Sequence, residues 1–363
     1  MIIKKIIDIA IGKKNSHSNK NNVANKKDFS VITNFSQKNI NKKLGIDNSI
    51  SSYENNDLKI NTSWKRFTQL NSITIDPSQK FLEKNSKIMT IGSCFANEIR
   101  KSFVKSGSFK MLPIVDQSIK DCFCDYFRNS YIVNNQWDIM PHFQYYNTFS
   151  ILLEFEKAFK VWSQDNSDYF KCIGYGTDNE VYVDPYRRYI EAKSIDDFIR
   201  IKNSMDESYK YAIFNSDVII ITLGMTELFK RKDNNRAICQ FEPRLKDHIY
   251  FENSNFESNY NNLNKICELV FSNFPEKKLV VTVSPIPLLQ TFRNCDIFIA
   301  NTQSKSTLRA VIGELESKWS NLFYFPSYEI SMNYNDGFED DKRHVKPELA
   351  DFIIKSFTNS FLK

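Results

Sequence analysis

The chain has 363 residues, of which 41% are hydrophobic and 25% charged, so it can bury the core of one large domain or of two smaller ones. Its formal net charge of +6 is concentrated at the start, since residues 1–50 contain ten Lys and three Asp and the remainder is about neutral. The composition therefore predicts no basic groove for nucleic acid in the folded part.

The first 58 residues differ in composition from the rest. Lys and Asn fill nineteen of the first fifty positions, and such polar sequence buries too little apolar surface to offset its ordering entropy. We predict a disordered leader over residues 1–58 and a single domain over residues 59–363. Ile and Lys at the very start could form an amphipathic helix that touches a membrane surface, or simply a frayed terminus.

Neither a signal peptide nor a membrane span is predicted. The opening apolar run is interrupted by Asp8, and no small-residue cleavage site follows it. No later segment reaches the roughly 18 uncharged apolar residues that a membrane span needs.

Four apolar, β-branched runs follow the leader, and segments of helical period lie between them. The predicted strands are residues 87–92, 217–224, 278–287 and 321–330. The predicted helices are residues 94–106, 195–213, 258–273 and 298–319, with a last helix from Pro347 to about Phe361. This alternation predicts an α/β fold in which helices cover both faces of a parallel sheet, and ligands then bind beyond the carboxyl ends of the strands.

Residues 116–193 break this alternation and are rich in Tyr, Phe and Trp. We predict that they form an insertion that folds over the edge of the sheet. Their aromatic side chains could belong to the core, or they could line a sugar or acyl pocket.

Ser93 and Cys94 stand where the first predicted strand turns into a helix. A nucleophile there lies over unpaired N–H groups and the positive end of the helix dipole, which can stabilise an oxyanion. A serine also needs a base within hydrogen-bond reach and an acceptor that orients this base. Of the four His residues, His344 alone follows the last strand beside a carboxylate, Asp341, although this pair could also be a capping loop before Pro347.

The seven Cys residues are an odd number scattered along the chain. This fits the reduced thiols of a cytoplasmic protein better than a disulfide framework. Cys122 and Cys124 could supply half of a metal site, but no second pair of Cys or His has the required spacing. We therefore predict no metal.

The segment TIGSCFANEIRKSF resembles the signature of the GSCFA family, a branch of the SGNH (GDSL-like) hydrolase superfamily. The resemblance extends over roughly residues 63–361 and includes further blocks in the same order: YNTFSI (146–151), DPYRR (184–188), ITLGMTELF (221–229), VSPIPLLQTF (283–292), YFPSYEI (324–330) and the Asp341-x-x-His344 ending. Several ordered blocks are more specific than any single motif.

This resemblance implies a three-layer, flavodoxin-like α/β fold with Ser93 as nucleophile, His344 as base and Asp341 as its partner. The backbone N–H of Ser93 would be one oxyanion donor, with Gly224 beside it. Where SGNH hydrolases carry Gly-x-Asn-Asp, this chain has Gly224-Met225-Thr226-Glu227. The side-chain donor could then be Thr226 or Asn147, and Asn147 could instead cap a helix.

Cys94 competes with Ser93 for the role of nucleophile, because a thiolate at a helix N-terminus is activated. The residue after such a serine normally points into the helix packing, which favours Ser93.

Three residues are assigned to substrate binding: Arg187, Glu227 and Tyr146. Arg187 could hold an anionic sugar or a phosphate, or it could pair with a carboxylate, whereas a structural role is favoured for Arg188.

The predicted function is a cytoplasmic serine esterase that acts on O-acyl esters of a carbohydrate or glycan precursor and needs no cofactor. One alternative is a sugar O-acyltransferase that uses the same acyl-enzyme, for which acyl-coenzyme A could be the donor. Another is an inactive glycan-binding protein on the same fold. No pattern in the sequence indicates an oligomeric state.

Overall fold

The structure is a computed structural model, and it describes residues 73, 75, 80–114, 116–130, 132–133, 136–137 and 140–363. The leader predicted over residues 1–58 lies outside the described residues.

Within the described residues, strands and helices alternate along the chain as follows. The strands are β1 (Lys87–Gly92), β2 (Lys110–Leu112), β3 (Ile132–Val133), β4 (Gln136–Trp137), β5 (Phe170–Ile173), β6 (Glu180–Val183), β7 (Glu191–Ala192), β8 (Val218–Leu223), β9 (Glu227–Arg231), β10 (Ala237–Ile238), β11 (Ile249–Asn253), β12 (Lys278–Val283) and β13 (Leu322–Tyr324). The α-helices are α1 (Cys94–Ser106), α2 (Asp125–Ser130), α3 (Thr148–Ala158), α4 (Ile195–Asn215), α5 (Phe256–Asn273), α6 (Ile297–Lys318), α7 (Ser327–Asn333) and α8 (Pro347–Phe361).

Five parallel strands form the central sheet in the order β13-β12-β8-β1-β2. When the five strands are numbered by their order along the chain and read from the β2 edge, they follow the flavodoxin-like order 2-1-3-4-5. In sheets of this kind the direction of winding reverses between the first and third strands, and a crevice opens at their carboxyl ends. Here that switch point lies between β1 and β8.

Helices cover both faces of the sheet because alternate strand residues point to opposite sides. Met89 and Ile221 pack into a core cluster with helices α3, α4, α5 and α6, whereas Ile88 and Ile220 pack with α1, α7 and α8. The predicted three-layer α/β fold is confirmed.

Two of the predicted strands are shorter than expected. The strand predicted over residues 278–287 ends at Val283, where Ser284-Pro285-Ile286-Pro287 leaves the sheet as a loop. The strand predicted over residues 321–330 ends at Tyr324, and helix α7 begins at Ser327. Proline cannot donate to a strand ladder, and Pro326 stands at this boundary.

Residues 116–193 lack the regular alternation of strands and helices, but part of this region belongs to the main core. It contains the antiparallel sheet β5-β6-β7 and the pair β3-β4. Helix α3 packs Ile151 and Phe155 into the same cluster as Met89 of the central sheet, and Phe143 and Tyr145 join them. The side chains of Phe143, Tyr145 and Phe155 therefore belong to the core, whereas Tyr146, Trp162 and Tyr175 are only partly buried.

A second antiparallel sheet, β10-β9-β11, follows β8 directly and was not predicted from the sequence. All five residues of β9 are buried, so the strand shows no alternation of polar and apolar positions. This sheet forms a wall beside the carboxyl end of β8.

Candidate active site

Ser93 is the residue between β1 and α1, at the switch point of the sheet. It caps helix α1, with its Oγ accepting a hydrogen bond from the N–H of Phe95 at 3.3 Å. The same Oγ lies 3.3 Å from Oγ1 of Thr222 on β8. Ser93 is only 2% exposed, and the part that reaches the surface lines a cavity.

Gly92 explains why the chain can turn so tightly before Ser93. Its φ of +135° is reached easily only by glycine. A Cβ on this residue would lie 2.1 Å from the carbonyl oxygen of Thr222, so the two strand ends could not approach as they do. The close contact of β1 and β8 therefore depends on Gly92.

Asp341 and His344 form a compact turn in the loop between α7 and α8. Asp341 Oδ1 accepts hydrogen bonds from the N–H groups of Arg343 and His344 at 2.9 and 3.0 Å, and Oδ2 contacts Nδ1 of His344 at 2.5 Å. The backbone N–H groups of His344 and Arg343, together with the imidazole, lower the pKa of Asp341 to about 2. A carboxylate can only accept, so Nδ1 of His344 carries the proton and Nε2 presents a lone pair.

The cavity has a volume of about 380 Å³ and is lined by both Ser93 and His344. Within the described residues no direct hydrogen bond joins Ser93 Oγ to the imidazole. Catalytic hydrogen bonds are often long in the absence of substrate and tighten when it binds. The structure thus brings the predicted nucleophile, base and acidic partner to one rim of the molecule.

The predicted backbone donors are already engaged. The N–H of Ser93 donates to the carbonyl of Thr222 at 3.1 Å, and the N–H of Gly224 donates to the carbonyl of Tyr146 at 2.9 Å. The N–H of Cys94, the next along the helix, donates no hydrogen bond within the described part of the chain. Cys94 also lines the cavity, so this neighbouring donor is one that the sequence analysis missed.

Asn147 caps a helix with one atom of its side-chain amide and leaves the other atom unengaged. Its Oδ1 caps helix α3 by accepting from the N–H of Ser150 at 2.9 Å and from the Ser150 hydroxyl at 3.1 Å. This fixes the orientation of the amide, so Nδ2 lies on the other side. Nδ2 donates no hydrogen bond to any described residue, and Asn147 lines the cavity.

Thr226 does not line the cavity, and this corrects its assignment as an oxyanion donor. The residue is 1% exposed, and its hydroxyl donates to Asn253 Oδ1 at 2.8 Å and contacts Ser304 Oγ at 2.9 Å. The threonine joins the loop after β8 to β11 and α6, so its role is structural.

Cys94 lines the cavity but is poorly suited to be the nucleophile. Burial raises the pKa of its thiol, although Arg188, Arg343 and Lys305 oppose this effect through their charges. A raised pKa keeps the sulfur protonated and unreactive at neutral pH. The raised pKa of the Cys94 thiol therefore favours Ser93 as the nucleophile.

Arg187 is also corrected, because it lies outside the cavity. It is 2% exposed, and its guanidinium binds both carboxylate oxygens of Glu154 at 2.8 and 3.2 Å and Asp206 at 2.6 Å. Its neighbour Arg188 lines the cavity instead. The structure thus places Arg188, and not Arg187, at the cavity.

Glu227 and Tyr146 both line the cavity. The carboxylate of Glu227 accepts from the Thr291 hydroxyl at 2.7 Å and from the N–H of Phe292 at 3.1 Å, so it also holds the loop after β12. The Tyr146 hydroxyl donates to Gln144 Oε1 at 3.0 Å.

Two features of the site were missed by sequence reasoning. Phe229, Phe241 and Phe292 form an aromatic wall with ring centroids 4.7–4.8 Å apart, although they come from distant segments. Lys305 of α6 is buried behind the cavity, and its Nζ donates to the carbonyls of Gly224 and Ile286 at 2.8 and 2.9 Å. Burial lowers the pKa of this lysine to about 7. Only the fold brings these residues together.

The described residues contain no cluster of three or more His, Cys, Asp or Glu side chains placed to hold a metal ion. None of the helices in this part of the chain combines the length and hydropathy that crossing a membrane requires.

Several solved structures are similar to this chain at low sequence identity. A GDSL-like lipase from Bacteroides thetaiotaomicron is 12% identical, with 82% of this chain and 96% of that chain covered and a TM-score of 0.34. A carbohydrate esterase of family 3 from Talaromyces cellulolyticus is 12% identical, with a TM-score of 0.33. The match covers 76% of this chain and 95% of that chain. A putative platelet activating factor from Streptococcus pneumonia is 13% identical, with a TM-score of 0.29. The match covers 43% of this chain and 64% of the length of that protein. Likenesses of this size carry no information about activity.

Comparison with protein families is more decisive. A search of the curated proteins finds no match. The model of the GSCFA family, however, matches residues 87–357, which run from the first residue of β1 into helix α8. Because this match covers most of the chain, the protein belongs to the GSCFA family.

Proposed function

We propose that this protein is a serine esterase that hydrolyses O-acyl esters, with Ser93 as nucleophile, His344 as general base and Asp341 as the group that orients the base. One observation carries the proposal: Ser93 and the Asp341-bound His344 line the same cavity at the switch point of the sheet. This is where a fold of this order places its ligand.

In the acylation step, Nε2 of His344 accepts the proton of the Ser93 hydroxyl while Oγ attacks the ester carbonyl carbon. The carbonyl electrons move to the oxygen, which becomes the oxyanion of a tetrahedral intermediate. Nδ2 of Asn147 and the N–H of Cys94 are the unengaged donors beside it. When the intermediate collapses, the alcohol leaves with the proton from His344, and the acyl group stays on Ser93.

In the deacylation step, water gives its proton to His344 and attacks the acyl carbon, which releases the carboxylic acid and restores Ser93. The His344 side chain is 63% exposed, so water reaches it readily. This exposure favours hydrolysis over transfer of the acyl group to a sugar hydroxyl from acyl-coenzyme A, which would require water to be excluded.

A carbohydrate or glycan ester is the proposed substrate class. The cavity combines the aromatic wall with amide side chains of Gln144, Gln240 and Asn147. Aromatic faces and amide groups together suit a sugar, which presents both C–H faces and hydroxyl groups.

The seven cysteines are all unpaired, which supports a reducing, cytoplasmic location.

The proposal is tested with a fluorophosphonate probe, which reacts with activated serines. We expect the probe to label the purified protein and a Cys94→Ala control, but not Ser93→Ala. Hydrolysis of p-nitrophenyl acetate should follow the same pattern. Labelling that persists in Ser93→Ala would refute the assignment of the nucleophile, and a folded protein without labelling would favour the inactive binding protein.

The same assay separates hydrolysis from transfer. Acetyl groups are followed by mass spectrometry with p-nitrophenyl acetate or acetyl-coenzyme A as donor, in the presence and absence of sugars. We expect free acetate from the ester. Acetylated sugar as the main product would replace the esterase with the transferase.

A further inference from the structure

Two arginines line the cavity together with Ser93 and His344. Arg188 follows strand β6, and Arg343 lies within the turn that holds His344. Glu227 is the one acidic residue among the described residues that line this cavity, and its two oxygens accept from Thr291 and Phe292. The lining thus carries more positive than negative charge.

Both guanidinium charges act close to the nucleophile. They are the two strongest of the charges that oppose the rise in the pKa of Cys94, the residue that follows Ser93. Lys305, buried behind the cavity, has the next largest lowering effect on the pKa of Cys94. The carboxylate of Glu98 on α1 has a smaller effect that raises this pKa. An anion in the cavity would therefore lie in a positive field.

Arg343 has no partner for its guanidinium within the described part of the chain. Its side chain forms neither a hydrogen bond nor an ion pair there, and its Nε is buried without a hydrogen-bond partner. Buried polar groups in proteins are almost always hydrogen-bonded, so an unpaired buried donor at the edge of a cavity indicates a missing acceptor.

Arg188 is held in a defined orientation. Its Nε donates to Gln240 Oε1 at 3.1 Å, and its guanidinium lies 4.1 Å from the centre of the Tyr189 ring. A guanidinium fixed in this way loses little freedom when it binds a planar or tetrahedral anion through two parallel hydrogen bonds.

We propose that Arg188 and Arg343 together bind a carboxylate or phosphate group on the ester substrate, so that the enzyme selects anionic over neutral esters. This inference rests on the proposed esterase function and narrows its substrate class. The anion is part of the substrate and not the oxyanion of the reaction. The arginines therefore act on substrate binding, and the ester carbonyl is left to Ser93.

The experiment compares three acetylated sugars: a methyl glucoside, the matching methyl glucuronide and a glucose phosphate. Acetate release is measured for the wild type, Arg188→Gln, Arg343→Gln and the control Lys342→Gln, which removes a positive charge from the same turn outside the cavity. We expect each arginine substitution to lower kcat/KM for an anionic ester about tenfold or more, mainly through KM. The neutral ester and the control should stay within about twofold.

The two anionic sugars distinguish the sources of the anion, since the wild type should prefer the one whose group it recognises. Equal losses for neutral and anionic esters would overturn the proposal, because the arginines would then serve the reaction or the fold. Unchanged kcat/KM for both anionic esters in both variants would also overturn it. Thermal unfolding of each variant identifies a loss of fold.

Direct binding makes the outcome independent of catalysis. Glucuronate, glucose phosphate and glucose are titrated calorimetrically into Ser93→Ala protein, with and without the arginine substitutions. We expect an anionic sugar to bind more tightly than glucose, and this preference to be lost without Arg188 or Arg343. If no ester is turned over but this preference is found, the esterase fails and the anion site stands; if esters are turned over without the preference, the anion site fails.

Discussion

Ser93 and His344 reach the same cavity by different structural means. Ser93 is 2% exposed and is placed by the sheet, through Gly92 and the contacts of β1 with Thr222 of β8. The side chain of His344 is 63% exposed and is placed by a turn of four residues, in which Asp341 accepts three hydrogen bonds.

The difference separates two kinds of positioning. The proposed nucleophile depends on residues that are distant in sequence, so a change near it should disturb the fold as well as the reaction. The proposed base depends on its own turn, so a change there should disturb the reaction alone. Substitutions in the two regions should therefore differ in the ratio of lost activity to lost stability.

The largest effect on activity is expected for His344→Gln. We expect kcat/KM for p-nitrophenyl acetate to fall by about 10²–10⁴, because the variant lacks the proposed base for Ser93. The midpoint of thermal unfolding should stay within about 2 °C, because the side chain is exposed. A parallel loss of stability would show that the turn is not an independent unit.

The pH profile sharpens this prediction. Because the folded-state pKa of Asp341 is lowered to about 2, its stabilising effect is present above its unfolded value of 3.8 and is lost as the pH falls toward 2. Loss of activity on acidification above about pH 4 should therefore not come from Asp341. Asp341→Asn should lower kcat/KM for p-nitrophenyl acetate throughout the range above about pH 4, whereas the control Asp340→Asn, which changes the exposed neighbouring acid, should not.

Gly92→Ala should differ from His344→Gln in causing a large loss of stability as well as any loss of activity. A methyl group would lie 2.1 Å from the Thr222 carbonyl at a φ of +135°, and we expect the free energy of unfolding to fall by about 3 kcal/mol or more. Gly107→Ala is the matched control: it also has a positive φ, but nothing lies within 4 Å of its Cβ, so a loss of about 1–2 kcal/mol is expected. Urea unfolding measures both, and equal losses would contradict the packing argument.

The side chain of Asn147 is expected to affect both stability, as a helix cap, and activity, as an oxyanion donor. Two substitutions separate these effects. Asn147→Ser keeps a capping oxygen and should leave stability nearly unchanged, whereas Asn147→Ala should cost about 1 kcal/mol. Both lose Nδ2, and we expect kcat to fall by about 10²–10³ in each if it binds the oxyanion. A serine variant with full activity would leave Asn147 as a helix cap only.

Local features of the fold could be predicted well from the sequence. Four of the five central strands and the helices between them follow from hydrophobic period, and the last helix begins at Pro347 and ends at Phe361 as predicted. The strand predicted over residues 321–330 was too long, because apolar residues continue past Pro326 into helix α7. An apolar run shows burial without showing which element is buried.

The site could be predicted only in part. Ser93 between strand and helix and the Asp341-x-x-His344 turn are local patterns, so the sequence alone was enough to single them out. Arg187 and Arg188 are adjacent in sequence and chemically identical, and only packing against Glu154 and Asp206 decides which is buried.

The sequence by itself determined the α/β alternation, the serine at the first strand end and the histidine turn near the last helix, because each depends on residues that are close along the chain. The tertiary structure alone decided that Asn147 and not Thr226 faces the cavity, that Arg188 and Arg343 share its lining, and that three phenylalanines form its wall. These choices depend on contacts between distant segments, and such contacts leave no periodic signal in a single sequence.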